Sequence, residues 1–219
     1  MVTPAVIADE LRAEILELRY AQGEPLREIV LADRFGASRR SVREALLALA
    51  QEGIVSHQRN RGAQVRKFHI SDITDLYAVR AVLEGEGARH CDSAADELVD
   101  RVQLALVGLR RAAAERQDSS RHAIADVTFH ASIIALSGSP RLDGFFAHVR
   151  GEMTYAIRLL QHREVKAGLA SRDVLSDHEK IADAVFARDA AVAESAVLAH
   201  IKENARQLQI IATKAPTEA

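Results

Sequence analysis

One cysteine, no tryptophan, four prolines and eleven glycines stand among 219 residues, and only 4% of the chain is aromatic. Each scarcity removes a class. Cys91 alone cannot close an internal disulfide, so the fold needs no oxidising compartment, and a reducing cytoplasm is the expected home. So little proline and glycine does not suit a collagenous or linker-like chain, while 48% hydrophobic against 27% charged residues suffices for a packed core in one or two domains. No stretch approaches the roughly 18 consecutive apolar residues of a membrane helix, so no membrane partner is expected. The start, Met1-Val2-Thr3-Pro4-Ala5, has no basic segment leading into an apolar run, which predicts no secretory signal there. Net charge is scarce too: 29 Lys and Arg meet 31 Asp and Glu, giving −2. Taken whole, that number argues against a nucleic-acid partner.

Taken locally, it does not. Residues 1–69 hold 11 basic and 9 acidic groups, whereas 70–219 hold 18 and 22. Within 34–67, Arg34, Arg39, Arg40, Arg43, Arg59, Arg61, Arg66 and Lys67 face only Glu44 and Glu52, a local +6. Such asymmetry suggests a nucleic-acid module joined to a domain with another task; a solvated charged face explains the charge alone equally well.

The apolar spacing decides between them. Ile7, Leu11, Ile15 and Leu18 predict a helix over Pro4 to Tyr20, broken by Gly23-Glu24-Pro25. Leu26 to Phe35, with Leu26, Ile29, Val30 and Phe35 apolar, predicts a second, ended by Gly36. Ser38 is a good N-cap for a third over Ser41 to Gln51, with Val42, Ala45, Leu46 and Leu49 inward. Ile54 to Gln58 and Ala63 to Arg66 read as strands around the polar turn Arg59-Asn60-Arg61-Gly62. A helix, a short helix, a turn and a helix with a basic N-terminus, then a basic hairpin, is the layout of a winged helix-turn-helix. Arg39, Arg40 and Arg43 lie at the end that enters the major groove, where arginine can donate two hydrogen bonds to guanine. Ser38 and Ser41 suit phosphates, and Arg34, Arg59, Arg61 and Gly62 complete the candidate DNA surface.

These residues carry a resemblance. Gly23-Glu24-Pro25-Leu26-Arg27-Glu28, Leu31-Ala32, Phe35-Gly36-Ala37-Ser38-Arg39, Val42-Arg43-Glu44-Ala45-Leu46, Leu49, Glu52-Gly53 and Arg61-Gly62-Ala63-Gln64-Val65 together closely resemble the GntR family of bacterial transcription regulators over residues 5–66. The resemblance implies base contact by Arg39 and Arg43 and wing contact by Arg61 and Gly62. Ile29 stands where many members have arginine, and Arg40-Ser41 where many have Thr-Pro.

From residue 70 onward the sequence predicts only helices, about six, in an antiparallel bundle, the first capped by Ser71. The resulting expectation is a mainly α chain: a winged helix-turn-helix over 1–69 and an all-helical domain over 70–219. Asp126 and His130, one turn apart, share a helix face. His178 falls among Val174, Leu175, Ile181, Ala182 and Val185, and His200 among Ala193, Ala196, Val197, Leu208 and Ile211. The short connection at Arg188-Asp189 lets the two meet. One histidine on an apolar face is ordinarily a hydrogen-bonded core residue; three with a carboxylate form a nitrogen and oxygen donor set suited to Zn, Ni, Fe or Mn. His57, His69, His90, His122, His148 and His162 form no such pattern and are expected on the surface or in loops.

Asp126-Val127-Thr128-Phe129-His130, Ser137-Gly138-Ser139, His178-Glu179-Lys180-Ile181 and His200-Ile201 resemble the helical FCD domain of the FadR branch of that family, over about 72–212. The resemblance implies that Asp126, His130, His178 and His200 bind one divalent transition metal per chain, zinc first, leaving positions for water or an effector carboxylate. It also places Arg80 near the effector cavity, although Arg80 and Glu84, one turn apart, equally suit an exposed ion pair. Arg158 and Asn204 are effector candidates from helical phase alone. The implied function is a homodimeric repressor on a near-palindromic operator in double-stranded DNA, controlled by a small organic acid. A regulator sensing the ion itself is the alternative. A metal-dependent hydrolase is disfavoured, because no general base is evident and the basic module would have no use, so no enzyme is expected.

Overall fold

The computed structural model describes residues 2–58, 62–115, 119–166 and 174–214. Among these are nine helices and one two-stranded sheet, and the chain separates into two compact units. One comprises 1–68 with 148–155; the other comprises 69–147 and 156–219.

In the first unit, α1 (Pro4–Leu16) starts at Thr3, whose hydroxyl accepts from the Val6 amide, with proline where the helix needs no donor. Ile7, Leu11 and Ile15 are fully buried. The helix stops four residues before the predicted end, because Leu18 takes a left-handed φ of 57°. Helix α2 (Glu28–Phe35) ends at Gly36, φ 58°. It buries Leu31 and Ala32 and leaves the apolar Ile29 and Val30 exposed. Leu26 is buried ahead of the helix instead. Helix α3 (Arg39–Gln51) begins two residues earlier than expected on Ser38, whose hydroxyl accepts from the Ser41 amide at 3.0 Å, and it packs Val42, Ala45, Leu46 and Leu49 inward.

Strands β1 (Val55–Gln58) and β2 (Gly62–Val65) pair antiparallel, Val55 opposite Val65 and Gln58 opposite Gly62. The segment expected only to break a helix has a further task. Leu26 N–H donates to Ala63 at 2.8 Å, Val65 N–H to Glu24 at 2.9 Å and Gly23 N–H to Val65 at 3.0 Å, so residues 23–26 lie along the outer edge of β2.

The second unit contains α4 (Ile70–Arg89), α5 (Asp96–Glu115), α6 (Ser120–Ala135), α8 (Val174–Phe186) and α9 (Ala190–Lys214), with α7 (Pro140–Lys166) divided between the units. Helix α4 packs on α6 and α9, α5 on α6 and α8, and α8 on α9. The cap of α4 is His69 rather than Ser71: Asp72 accepts from the His69 amide at 2.8 Å and closes the first turn. Gly87 sets the α4–α6 spacing. A Cβ there would fall 2.1 Å from the Ile133 carbonyl oxygen, so only glycine allows this approach. Arg188 adopts φ 58° in the α8–α9 turn and donates to the Cys91 carbonyl at 3.0 Å, while Asp189 caps α9 by accepting from Val192. No described helix is long and apolar enough to cross a membrane.

Candidate functional site

In the second unit, α6, α8 and α9 turn polar groups into the apolar interior. His130 and Asp126 project from one face of α6, His178 from α8 and His200 from α9, each 4% exposed or less. The imidazole centroids lie 5.2 Å apart for His130 and His178, 5.2 Å for His130 and His200, and 4.6 Å for His178 and His200. The Asp126 carboxylate spans two of them, 3.3 Å from His130 Nε2 and 3.4 Å from His178 Nε2. Phe129 supports the cluster with its ring edge against His178, centroids 5.1 Å apart.

One nitrogen from each histidine lies within 4.8 Å of the others. Two nitrogens bound to one tetrahedral ion at 2.0–2.1 Å would be about 3.4 Å apart, so modest side-chain rotation closes the set. The donor chemistry also fits a cation. His130 Nε2 and His200 Nδ1 are buried without a hydrogen bond among the described residues, and leaving such atoms orphaned costs about 1–3 kcal/mol each. Burial lowers the His200 pKa and keeps the ring neutral, the form that ligates. Burial would raise the Asp126 pKa, but His178 and His130 outweigh it and hold the carboxyl well below its ordinary value.

Arg80 and Glu84 are not the exposed pair that their spacing allowed: both are 0% exposed. Helix α4 is packed against α6 and α9, and the face that carries this pair is covered. Arg80 Nε donates to Glu84 at 2.8 Å. The other Glu84 oxygen lies 2.7 Å from His130 Nδ1, at ion-pair distance though off the ring's N–H direction. Burial opposes charge on Glu84, but Arg80 and His130 override it and hold the pKa at about 2. Burial likewise opposes a charged His130, and Glu84 outweighs it to raise that pKa. The Arg80 guanidinium lies 4.8 Å from the centroid of the Tyr77 ring, and its Nη1 and Nη2 make no hydrogen bond among the described residues. Asn204 meets His200 Nε2 at 3.0 Å, and Arg158 is buried on α7. His122, expected at the surface, is buried one turn before Asp126, since the α6 face carrying it packs inward.

In the first unit, Arg39, Arg40 and Arg43 stand on the first turns of α3 with side chains 64%, 89% and 56% exposed, available to a ligand. Glu28, which sequence reading passed over, orders two of them. It accepts from Arg43 Nε at 2.8 Å and Nη2 at 2.7 Å, and lies 3.6 Å from Arg39 Nη2. Arg40 pairs with Glu44. The Ser38 and Ser41 hydroxyls are 2.9 Å apart. Arg34 turns to α1, where Glu14 and Glu10 pair with it, and the hydroxyl of Tyr20, beyond that helix, accepts from it at 2.9 Å. Gly62, φ 78°, opens β2; Arg59 and Arg61 lie outside the described residues.

Comparison with known proteins divides the chain in a similar way. Residues 4–65 match the model for bacterial regulatory proteins of the gntR family, and residues 75–203 match the FCD domain. A helix-turn-helix transcriptional regulator of Streptomyces ambofaciens is 30% identical over 198 residues, 88% of this chain and 79% of that protein. The D-xylose utilization operon repressor of Paenarthrobacter nicotinovorans is 26% identical over 204 residues, 91% and 88% of the two chains. The crystal structure of a GntR transcriptional regulator from Rhodococcus sp. RHA1 superposes with a TM-score of 0.79 at 26% identity, covering 94% of this chain and 96% of that one.

Proposed function

We propose, from the premise that this chain belongs to the gntR family of bacterial regulatory proteins and carries an FCD domain, that its DNA binding is controlled by a small organic acid held at a metal centre in the helical unit. DNA-binding transcription regulation is the family's shared activity; the ion, the acid and the residue roles are our reading. The observation that carries it is the convergence of His130, His178, His200 and Asp126 in a buried interior beside the unpaired Nη1 and Nη2 of Arg80.

Asp126, His130, His178 and His200 would hold the ion, which would act as a Lewis acid toward a carboxylate oxygen. Charge favours an anionic guest. A divalent cation with Asp126, and Arg80 with Glu84, leave about one net positive charge in a buried, low-dielectric interior, where an unpaired ion is costly. Arg80 would orient the acid through two parallel hydrogen bonds, with Asn204 and Arg158 as further contacts. The same unpaired Nη1 and Nη2 favour an acid over the ion alone as the signal.

In the first unit, Arg39 and Arg43 would read base edges. Arg40, Ser38 and Ser41 would hold phosphates, while Arg59, Arg61 and Gly62 would carry the wing contact. Two such helices one DNA turn apart, roughly 34 Å, call for a homodimer and a near-palindromic operator, occupied in the bacterial cytoplasm as a repressor. The acid acts only through its differential affinity for the DNA-binding and non-binding arrangements.

The test is a titration of an operator selected by the protein itself from random DNA. Zinc-loaded and chelator-stripped protein are compared, each with and without a panel of mono- and dicarboxylic acids. Our reading expects an acid to change affinity only in the loaded protein. A change on chelation with none by any acid would support the ion as the signal, and no change in any arm would refute both.

A further inference from the structure

Two carboxylates face His130 from opposite edges of its ring: Asp126 is 3.3 Å from Nε2 and Glu84 is 2.7 Å from Nδ1. A neutral imidazole has one donor nitrogen and one acceptor, and which is which depends on its partners. Asp126 also reaches His178, so its edge of the ring faces the donor set. Glu84 lies on the far edge, outside the three-histidine group, with its first oxygen already accepting from Arg80. It is fully buried and its helix is locked to α6 through Gly87, so its position relative to His130 is fixed by backbone packing.

We propose that Glu84 is a positioning residue of the metal centre: it fixes His130 with the proton on Nδ1 and the lone pair on Nε2, and holds Arg80 with its terminal nitrogens free for an anion. The inference rests on the metal and acid reading above and deepens it. One carboxylate then serves a metal ligand and the anion receptor at once. A guest acid that draws on Arg80 changes the hold of Glu84 on His130, and by linkage the ion changes the affinity for the acid by the same factor. Partners of this kind on the outer nitrogen of a ligating histidine are worth about 10–100-fold in metal affinity.

The experiment uses the full chain, stripped with a chelator and titrated with zinc against a chromophoric competitor, in the wild type and two variants. Glu84→Gln offers one acceptor oxygen to two donors and leaves the Arg80 charge without its carboxylate. Arg80→Met combined with Glu84→Leu removes the whole buried pair, so no orphaned charge clouds the folding of the stripped protein. Both variants are expected to bind zinc about 10–100-fold more weakly than the wild type. Long-range proton–nitrogen NMR of the zinc-loaded wild type should show His130 protonated at Nδ1 and bound through Nε2, a signature that a merely structural role would not dictate. A folded double variant with zinc affinity within about twofold of wild type, or His130 bound through Nδ1, overturns the role of Glu84 while leaving the metal centre standing. A wild type that takes up no zinc overturns the metal centre, and this role with it.

Discussion

The backbones of Gly87 on α4 and Ile133 on α6 lie so close that a Cβ on Gly87 would come 2.1 Å from the Ile133 carbonyl oxygen and 2.6 Å from the Ile134 Cα. Neither obstacle is the flexible end of a side chain, so any larger residue has to push the helices apart. Gly87→Ala should therefore destabilise the helical unit by about 1–3 kcal/mol, the usual cost of overpacking. Because Glu84 lies one turn before Gly87 and faces His130, zinc affinity should fall as well. Urea denaturation and a zinc titration check both effects, and an unchanged midpoint would mean that the approach is not tight.

Arg39→Ala should weaken specific DNA binding by about 1–3 kcal/mol, the cost of one guanine contact. A salt-matched titration on operator and on random DNA measures it. Equal losses on both would reassign Arg39 from base to phosphate.

Glu28 places a carboxylate against Arg43 and near Arg39 on the proposed DNA face. Glu28→Gln should tighten binding to random DNA and steepen its salt dependence, because it removes an acidic group from beside the phosphates. It should also reduce discrimination in favour of the operator, since Arg43 loses one of the two acceptors that orient it. Stability should change by no more than about 1 kcal/mol, as the pair is largely exposed. A variant that discriminates as well as the parent would show that Arg43 needs no orientation.

Glu14 accepts from Arg34, which holds its pKa below the ordinary 4.5, with burial opposing. The folded-state value is thus lower than the unfolded one. The pair's stabilisation is present in full above the unfolded value and is lost as pH falls through the folded one. The stability of the wild type, measured by denaturation, should fall progressively below about pH 4.5, and Glu14→Gln should flatten that part of the curve. Parallel wild-type and variant curves in acid would exclude the pair as a source of the slope.

The apolar phase of α1 and α3, the hairpin and the three converging histidines were readable because each is a periodic or local signal: Val42, Ala45, Leu46 and Leu49 face inward as spacing requires. What escaped is long-range. Glu28 meets Arg43 across 15 residues, and residues 23–26 become a sheet edge only once β2 is in place. Glu84 read as half of an exposed pair because spacing alone does not reveal that α4 is covered by two neighbours. His69 displaced Ser71 as a cap because Asp72, three residues on, closes the turn.

X-ray absorption at the zinc edge of the loaded protein tests the central claim most directly. With Asp126, His130, His178 and His200 as ligands, the wild type should show one zinc per chain in a first shell of nitrogen and oxygen only, at about 2.0–2.1 Å. A His178→Ala, His200→Ala double variant should retain none. Stoichiometric zinc that survives this substitution, or a first shell containing sulfur, would contradict the account.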